Sequence, residues 1–111
     1  MKKIKVYIAG PYTKGDVGEN IKNAMNAAEE CFKLGLVPFI PHLTHFQHIT
    51  HPRTYQNWLD YDLEWLKVCD FVLRIPGESA GADAEVMAAS LLEIPVVYTI
   101  KDLPGYTELP F

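Results

Sequence analysis

The chain has only two cysteines, Cys31 and Cys69, among 111 residues. Two thiols so few and so far apart do not make a disulfide framework, and they read as reduced, buried thiols of a cytoplasmic protein. There is no basic run either: 10 Lys and Arg stand against 14 Asp and Glu, for a net charge of −4. That excludes broad duplex binding, which needs clustered cations, so no nucleic-acid polymer is expected as a partner. No stretch approaches the roughly 18 apolar residues of a membrane span. The opening Met1-Lys2-Lys3-Ile4 lacks the apolar core of a signal peptide. Internal repeats, low-complexity segments, and the Walker A, GxGxxG and HExxH patterns are also missing.

What remains is ordinary soluble composition, 49% hydrophobic and 22% charged, in a length that suits one domain, residues 1–111. Ile4, Val6 and Ile8 alternate with polar neighbours, which predicts a strand from Lys3 to Ala9, stopped by Gly10-Pro11. A loop to Glu19 precedes a helix over about 20–34, with Gly35 as its stop. Leu36 to Ile40 reads as a second strand, and Pro38 places it at an edge. The proline-bounded stretch from Pro41 to Pro52 reads as loop, and Thr54 to Val68 as a helix. Phe71–Ile75 and Val96–Ile100 read as strands on either side of a helix from Ala82 to Leu92. The tail from Lys101 to Phe111, with two prolines and a glycine, is expected to be irregular. Alternating strands and helices imply an α/β fold: a small doubly wound, Rossmann- or flavodoxin-like parallel sheet of four to five strands with helices on both faces.

The stretch Arg74-Ile75-Pro76-Gly77-Glu78-Ser79-Ala80-Gly81-Ala82-Asp83-Ala84-Glu85 holds the most chemistry. It joins a strand to a helix through a turn with two glycines and a serine. Backbone N–H groups at such a helix start can hold an anion, and ligands of open α/β sheets bind at the carboxyl ends of the strands. Glu85 lies about one turn into the helix, with its side chain leaning back toward the turn. A carboxylate there can attack a sugar C1′ through an oxocarbenium-like transition state. Asp62, four residues from Trp58, can face inward with a raised pKa and protonate a leaving base; Asp60 and Glu64 then face water. Tyr7, near the end of the first strand, can orient the carboxylate. His42, His45, His48 and His51 recur every three residues. They lack a carboxylate co-ligand, so no metal is assigned; His42, with His45, is placed at the pocket mouth. Ser79 and Gly81 are placed at the anion site.

Together these pieces resemble the nucleoside 2-deoxyribosyltransferase superfamily, nearest its nucleotide branch of 2′-deoxynucleoside 5′-monophosphate N-glycosidases and cytidylate hydrolases. The resemblance covers about residues 4–98. It rests on Val6-Tyr7-Ile8-Ala9-Gly10, on Asp62-Leu63-Glu64-Trp65-Leu66, on Asp70-Phe71-Val72, and on the spacing of Ser79, Gly81 and Glu85. It implies Glu85 as nucleophile, Tyr7 as the phenol that orients it, and Asp62 as the acid near the base. It implies Ser79 as a phosphate contact, with Gly10, Gly81 and His42 completing the substrate site. A nucleoside-acting transferase carries Asp where Ser79 stands, so serine points to a 5′-phosphate. The expected activity is N-glycosidic hydrolysis of a (deoxy)nucleoside monophosphate, without metal or organic cofactor; base exchange and non-catalytic nucleotide binding are the alternatives. Departures are Thr13 where a basic residue is expected, with Lys14 beside it, and Glu78 and Asp83 flanking the phosphate site, where they would repel it. Trp58, Tyr61 and Trp65 on one helix exceed what a small core needs and imply a homodimer or higher homo-oligomer.

Overall fold

The computed structural model describes residues 3–105. Four parallel strands form one sheet in the order β2-β1-β3-β4: β1 is Lys5–Ala9, β2 Val37–Phe39, β3 Phe71–Arg74 and β4 Val96–Val97. The fold is the α/β parallel sheet expected from the alternation of elements. β1 sits at its centre, with Tyr7 opposite Phe39 on one side and Val72 on the other. Its side chains divide between two cores. Val6 and Ile8 pack with Ala24, Ala28 and Cys31 of helix α1 (Val17–Lys33). Tyr7 and Ala9 pack with Leu66 of α3 (Tyr55–Leu66) and with Ala82 and Ala89 of α4 (Ala80–Leu91). The period of two along β1 thus supplies both faces, and each face is covered by helix.

Caps set the helix starts, and they account for most boundary differences. Asp16 accepts a hydrogen bond from Glu19 N at 3.0 Å, so α1 begins at Val17 rather than near residue 20. Ser79 does the same for Ala82 N, so α4 begins at Ala80, two residues before the expected Ala82. Thr54 caps α3 through Asn57 N at 3.1 Å, so the helix begins at Tyr55, one residue after the expected Thr54. Two expectations are corrected. The stretch after Pro41 is not loop: a 3-10 turn, Pro41–Thr44, leads into α2, His45–Thr50. Pro41 stands at the first helical position, where its missing N–H is harmless, and no glycine interrupts residues 41–52. β4 ends at Val97 rather than Ile100, because Thr99 caps a second 3-10 turn, Ile100–Asp102. That turn delivers Leu103 into the α1-side core, where it is 3% exposed. Of the expected irregular tail, residues 106–111 lie outside the described ones.

Strand order reverses between β1 and β3. The chain leaves β1 through α1 to β2 on one side, then returns to place β3 on the other. Loops leaving the carboxyl ends of β1 and β3 therefore diverge, and a crevice opens between them. Among the described residues no helix is long and apolar enough to cross a membrane. Cys31 and Cys69 are buried and free, and burial pushes both thiols up to about 11, which leaves them poor nucleophiles.

Candidate active site

The crevice holds a cavity of about 450 Å³, a size that suits a nucleoside or nucleotide. Its walls come from the loop after β1 (Gly10, Tyr12, Lys14), from Pro41 and His42, from α3 (Tyr55, Trp58, Asp62) and from the start of α4 (Ser79 to Ala82, Glu85). Of the residues placed at the site from the sequence, Gly10, His42, Asp62, Ser79, Gly81 and Glu85 line this one cavity, whereas His45, expected at its mouth, is not among the lining residues. Tyr7 is fully buried behind it, and its hydroxyl donates a hydrogen bond to Glu85 Oε2. Strand β1 and helix α4 supply the two partners from positions 78 residues apart.

Three titrating groups meet here. Glu85 is 6% exposed. Burial pushes its carboxyl up to about 8; the Tyr7 hydroxyl and the Arg74 guanidinium oppose that shift, and the charge of Asp62 adds to it. Burial pushes Asp62 up to about 7, and its Oδ1 is buried without a hydrogen-bond partner among the described residues. Burial, then the neighbouring Glu85 and Asp62 charges, raise the Tyr7 phenol, so it stays protonated and acts as a donor. Asp60 and Glu64, on the same helix as Asp62, face water: Gln56 donates to Asp60 at 2.8 Å and Lys67 pairs with Glu64.

The turn before α4 resolves the acidic departures. Glu78 pairs with Lys14 at 3.0 Å, and Asp83 with Arg74 at 3.1 Å. Arg74 also donates to the carbonyls of Ile75 and Gly77, so it ties the turn to the end of β3. Both carboxylates thus stand against cations rather than unopposed beside the helix start. Ser79 Oγ accepts from Ala82 N at 3.0 Å, which uses that N–H for capping. The first-turn N–H groups of Ala80 and Gly81, which have no partner within a helix, are the donors left at this end. Ser79 keeps its own hydroxyl proton to donate. Gly10 is needed for close packing, since a Cβ there would lie 2.3 Å from Ile75 Cγ1. At Gly81 a Cβ would meet the Tyr55 hydroxyl at 3.4 Å, so glycine keeps that side of the cavity open.

Sequence reasoning missed part of the wall. His48, placed in a presumed loop, sits on α2; its Nδ1 accepts from Trp58 Nε1 at 2.8 Å, and the Arg53 guanidinium lies 5.5 Å from the Trp58 ring. Tyr12, Tyr55, Arg53 and His48 all line the cavity. Trp58, assigned to an apolar excess, is half-buried and lines it too. The available signal is the three-residue spacing of the histidines, which is near-helical but lies between prolines. His45 lies one step back, with Nδ1 at 2.6 Å from the Tyr12 hydroxyl, and His51 is exposed. Among the described residues no group of three or more His, Cys, Asp or Glu is placed to hold a metal ion.

Residues 4–99 match the family model described as a domain of unknown function, DUF7768. The chain belongs to this family. No curated protein matches it. Among solved structures, the DUF7768 chain is similar to a 2-deoxyribosyltransferase from the psychrotolerant bacterium Bacillus psychrosaccharolyticus: TM-score 0.60, 24% identity, over 83% of this chain and 69% of that one. It is similar too to a 2-desoxiribosyltransferase from Leishmania mexicana: TM-score 0.60, 22% identity, over 85% of this chain and 62% of that one. At these identities the likeness is one of fold. The DUF7768 chain has the α/β fold of these transferases and spans about two thirds of their length.

Proposed function

We propose that this protein cleaves the N-glycosidic bond of a nucleoside 5′-monophosphate, with deoxyribose or ribose as the sugar, by double displacement at Glu85. The observation that carries the reading is the Tyr7–Glu85 pair, a buried carboxylate on a cavity wall whose Oε2 is held by a phenol. In the first step the ionised Glu85 forms a bond to C1′ as the bond from C1′ to the base nitrogen breaks. That bond's electron pair leaves with the base, which takes a proton from Asp62. In the second, water attacks C1′, gives a proton to Asp62, and releases Glu85 and the sugar phosphate. No metal or organic cofactor enters either step.

The phosphate is assigned to the start of α4, to the Ser79 hydroxyl and the N–H groups of Ala80 and Gly81, with Lys14 nearby. Helix N-termini favour anions, and the pairing of Glu78 and Asp83 with cations supports the assignment. Base exchange, in which a second base replaces water, is the second reading; the fold shared with two deoxyribosyltransferases favours it. Two buried free thiols support a cytoplasmic setting, and the exposed apolar side chains support a homodimer or higher homo-oligomer. Chromatography of bases released from a panel of nucleotides and nucleosides tests catalysis, with free base expected from at least one monophosphate. Repeating it with a second free base present separates the readings: a new nucleotide means transfer, an unchanged product means hydrolysis. Binding without release from any of the panel would leave only the non-catalytic nucleotide-binding module.

A further inference from the structure

His42 carries a second piece of the site. Its ring is 5% exposed and lines the cavity. Nε2 lies 2.8 Å from the Pro11 carbonyl oxygen. A carbonyl oxygen only accepts, so Nε2 carries the ring proton and donates. Burial lowers the affinity of the ring for a second proton, against a smaller upward pull from the Pro11 and Gly10 carbonyls. The ring is therefore neutral near neutral pH, and Nδ1 is an acceptor only. Nδ1 is fully buried and has no hydrogen-bond partner among the described residues. The ring is held from two sides, by Pro11 and by Tyr12, whose ring stands edge-on at 6.1 Å. The other buried side-chain atom without a partner among the described residues, Asp62 Oδ1, belongs to the same cavity. Buried polar atoms are almost always paired. Both residues line the cavity, and each has a buried polar atom without a partner among the described residues.

We propose that His42 Nδ1 is a specificity-determining acceptor, taking a hydrogen bond from a neutral N–H or O–H donor of the ligand. This rests on reading the cavity as a nucleoside or nucleotide site. Such ligands carry two kinds of donor, the exocyclic amine of a base and a sugar hydroxyl. A carbonyl or a bare ring nitrogen in that place would face His42 acceptor to acceptor. A site built around a substrate hydrogen bond rejects the analogue lacking it far more strongly than an apolar pocket rejects a change of size. His42 thus selects by what it leaves unpaired when the wrong ligand enters.

The test removes one donor at a time. Adenine is compared with unsubstituted purine as the base of a deoxynucleoside monophosphate, and 2′-deoxyribose with 2′,3′-dideoxyribose and with ribose as the sugar. Affinity is read by calorimetry and base release by chromatography, in wild type, His42→Gln and His42→Phe. Glutamine keeps an N–H for the Pro11 carbonyl and lacks Nδ1; phenylalanine fills the space and lacks both nitrogens. Wild type is expected to disfavour the donor-lacking member of one pair by about tenfold or more, and both variants to level that pair to within about twofold. The arm in which this happens identifies the amine or the hydroxyl. Equal affinities across every pair in wild type overturn the proposal, whether or not the variants fold. So does discrimination that survives in a folded His42→Gln or His42→Phe. Discrimination in binding without any base release keeps this role and rejects the glycosidase; base release without discrimination does the reverse.

Discussion

Glu85 and Asp62 need opposite protonation states to work together. The nucleophile must be ionised and the acid protonated, yet burial has pushed them to about 8 and about 7. Near neutral pH the pair holds one proton between them, so its titration belongs to the pair. We expect a bell-shaped dependence of kcat/KM on pH with limbs near these two values. Asp62→Asn removes both the acid and the charge that raises Glu85. The alkaline limb should vanish, leaving a single acid limb set by Glu85 alone and lying below about 8, and the rate should fall by about 10²- to 10⁴-fold. An unchanged profile in the variant would exclude Asp62 from proton transfer. The same burial has a stability consequence. Glu85 titrates at 4.5 when unperturbed and about 8 when folded. Between those values the folded state holds a proton that the unfolded state has released, so its contribution to stability falls as pH rises through that window. Glu85→Gln cannot ionise and should keep the Tyr7 contact. It should be more stable than wild type by on the order of 1–3 kcal/mol near about pH 9, the gap narrowing below about pH 4. Denaturant midpoints at several pH values check this; a difference that does not change with pH contradicts it.

Helix α4 combines capping with binding, and the two roles can be separated at Ser79. Its hydroxyl oxygen caps Ala82 N, and Asp is as good a cap as Ser. Ser79→Asp should therefore leave stability within about 0.5 kcal/mol while placing a negative charge where phosphate is assigned. The preference for a monophosphate over its nucleoside should reverse, read by paired calorimetric titrations; a retained preference would move the phosphate elsewhere. At the end of β1 the constraint is steric. Gly10→Ala brings a Cβ to 2.3 Å from Ile75 Cγ1 and should destabilise by about 1–3 kcal/mol. Adding Ile75→Ala should recover part of that loss, and strictly additive losses in thermal melts would show the clash is not the cause. These elements also show what was legible in the sequence. β1 could be read from alternation, the α3 start from Thr54, and the Tyr7, Asp62 and Glu85 constellation from residue types and spacing. The starts of α1 and α4 were placed late because the capping roles of Asp16 and Ser79 depend on backbone angles that composition does not display. α2 was lost because its six residues are too few for a periodic signal, and with it went His48 and its hydrogen bond to Trp58.

At the scale of the molecule, the aromatic excess of α3 is partly internal. Trp58 lines the cavity and Trp65 stacks on Phe39 at 5.4 Å. The larger exposed apolar side chains include Phe46 and Ile49 of α2, 65% and 59% exposed. The homo-oligomer expected from Trp58, Tyr61 and Trp65 would bury such side chains against a second copy. Light scattering at low micromolar concentration should give a mass above that of a single 12.6 kDa chain; a monomer alone contradicts it. The pairing of Glu78 with Lys14 joins the loop after β1 to the turn before α4 at the cavity. Both side chains are well exposed, so the pair adds little stability and can open without strain on the sheet.

Everything proposed for the site turns on Glu85, held by Tyr7, as the nucleophile that releases a base. Base release by wild type and Glu85→Gln, measured side by side on a nucleotide that wild type cleaves, tests it most directly. Free base is expected from wild type, with a loss of about 10³-fold or more in the variant, which should be folded and bind the same nucleotide. Turnover in Glu85→Gln at the wild-type rate would contradict it.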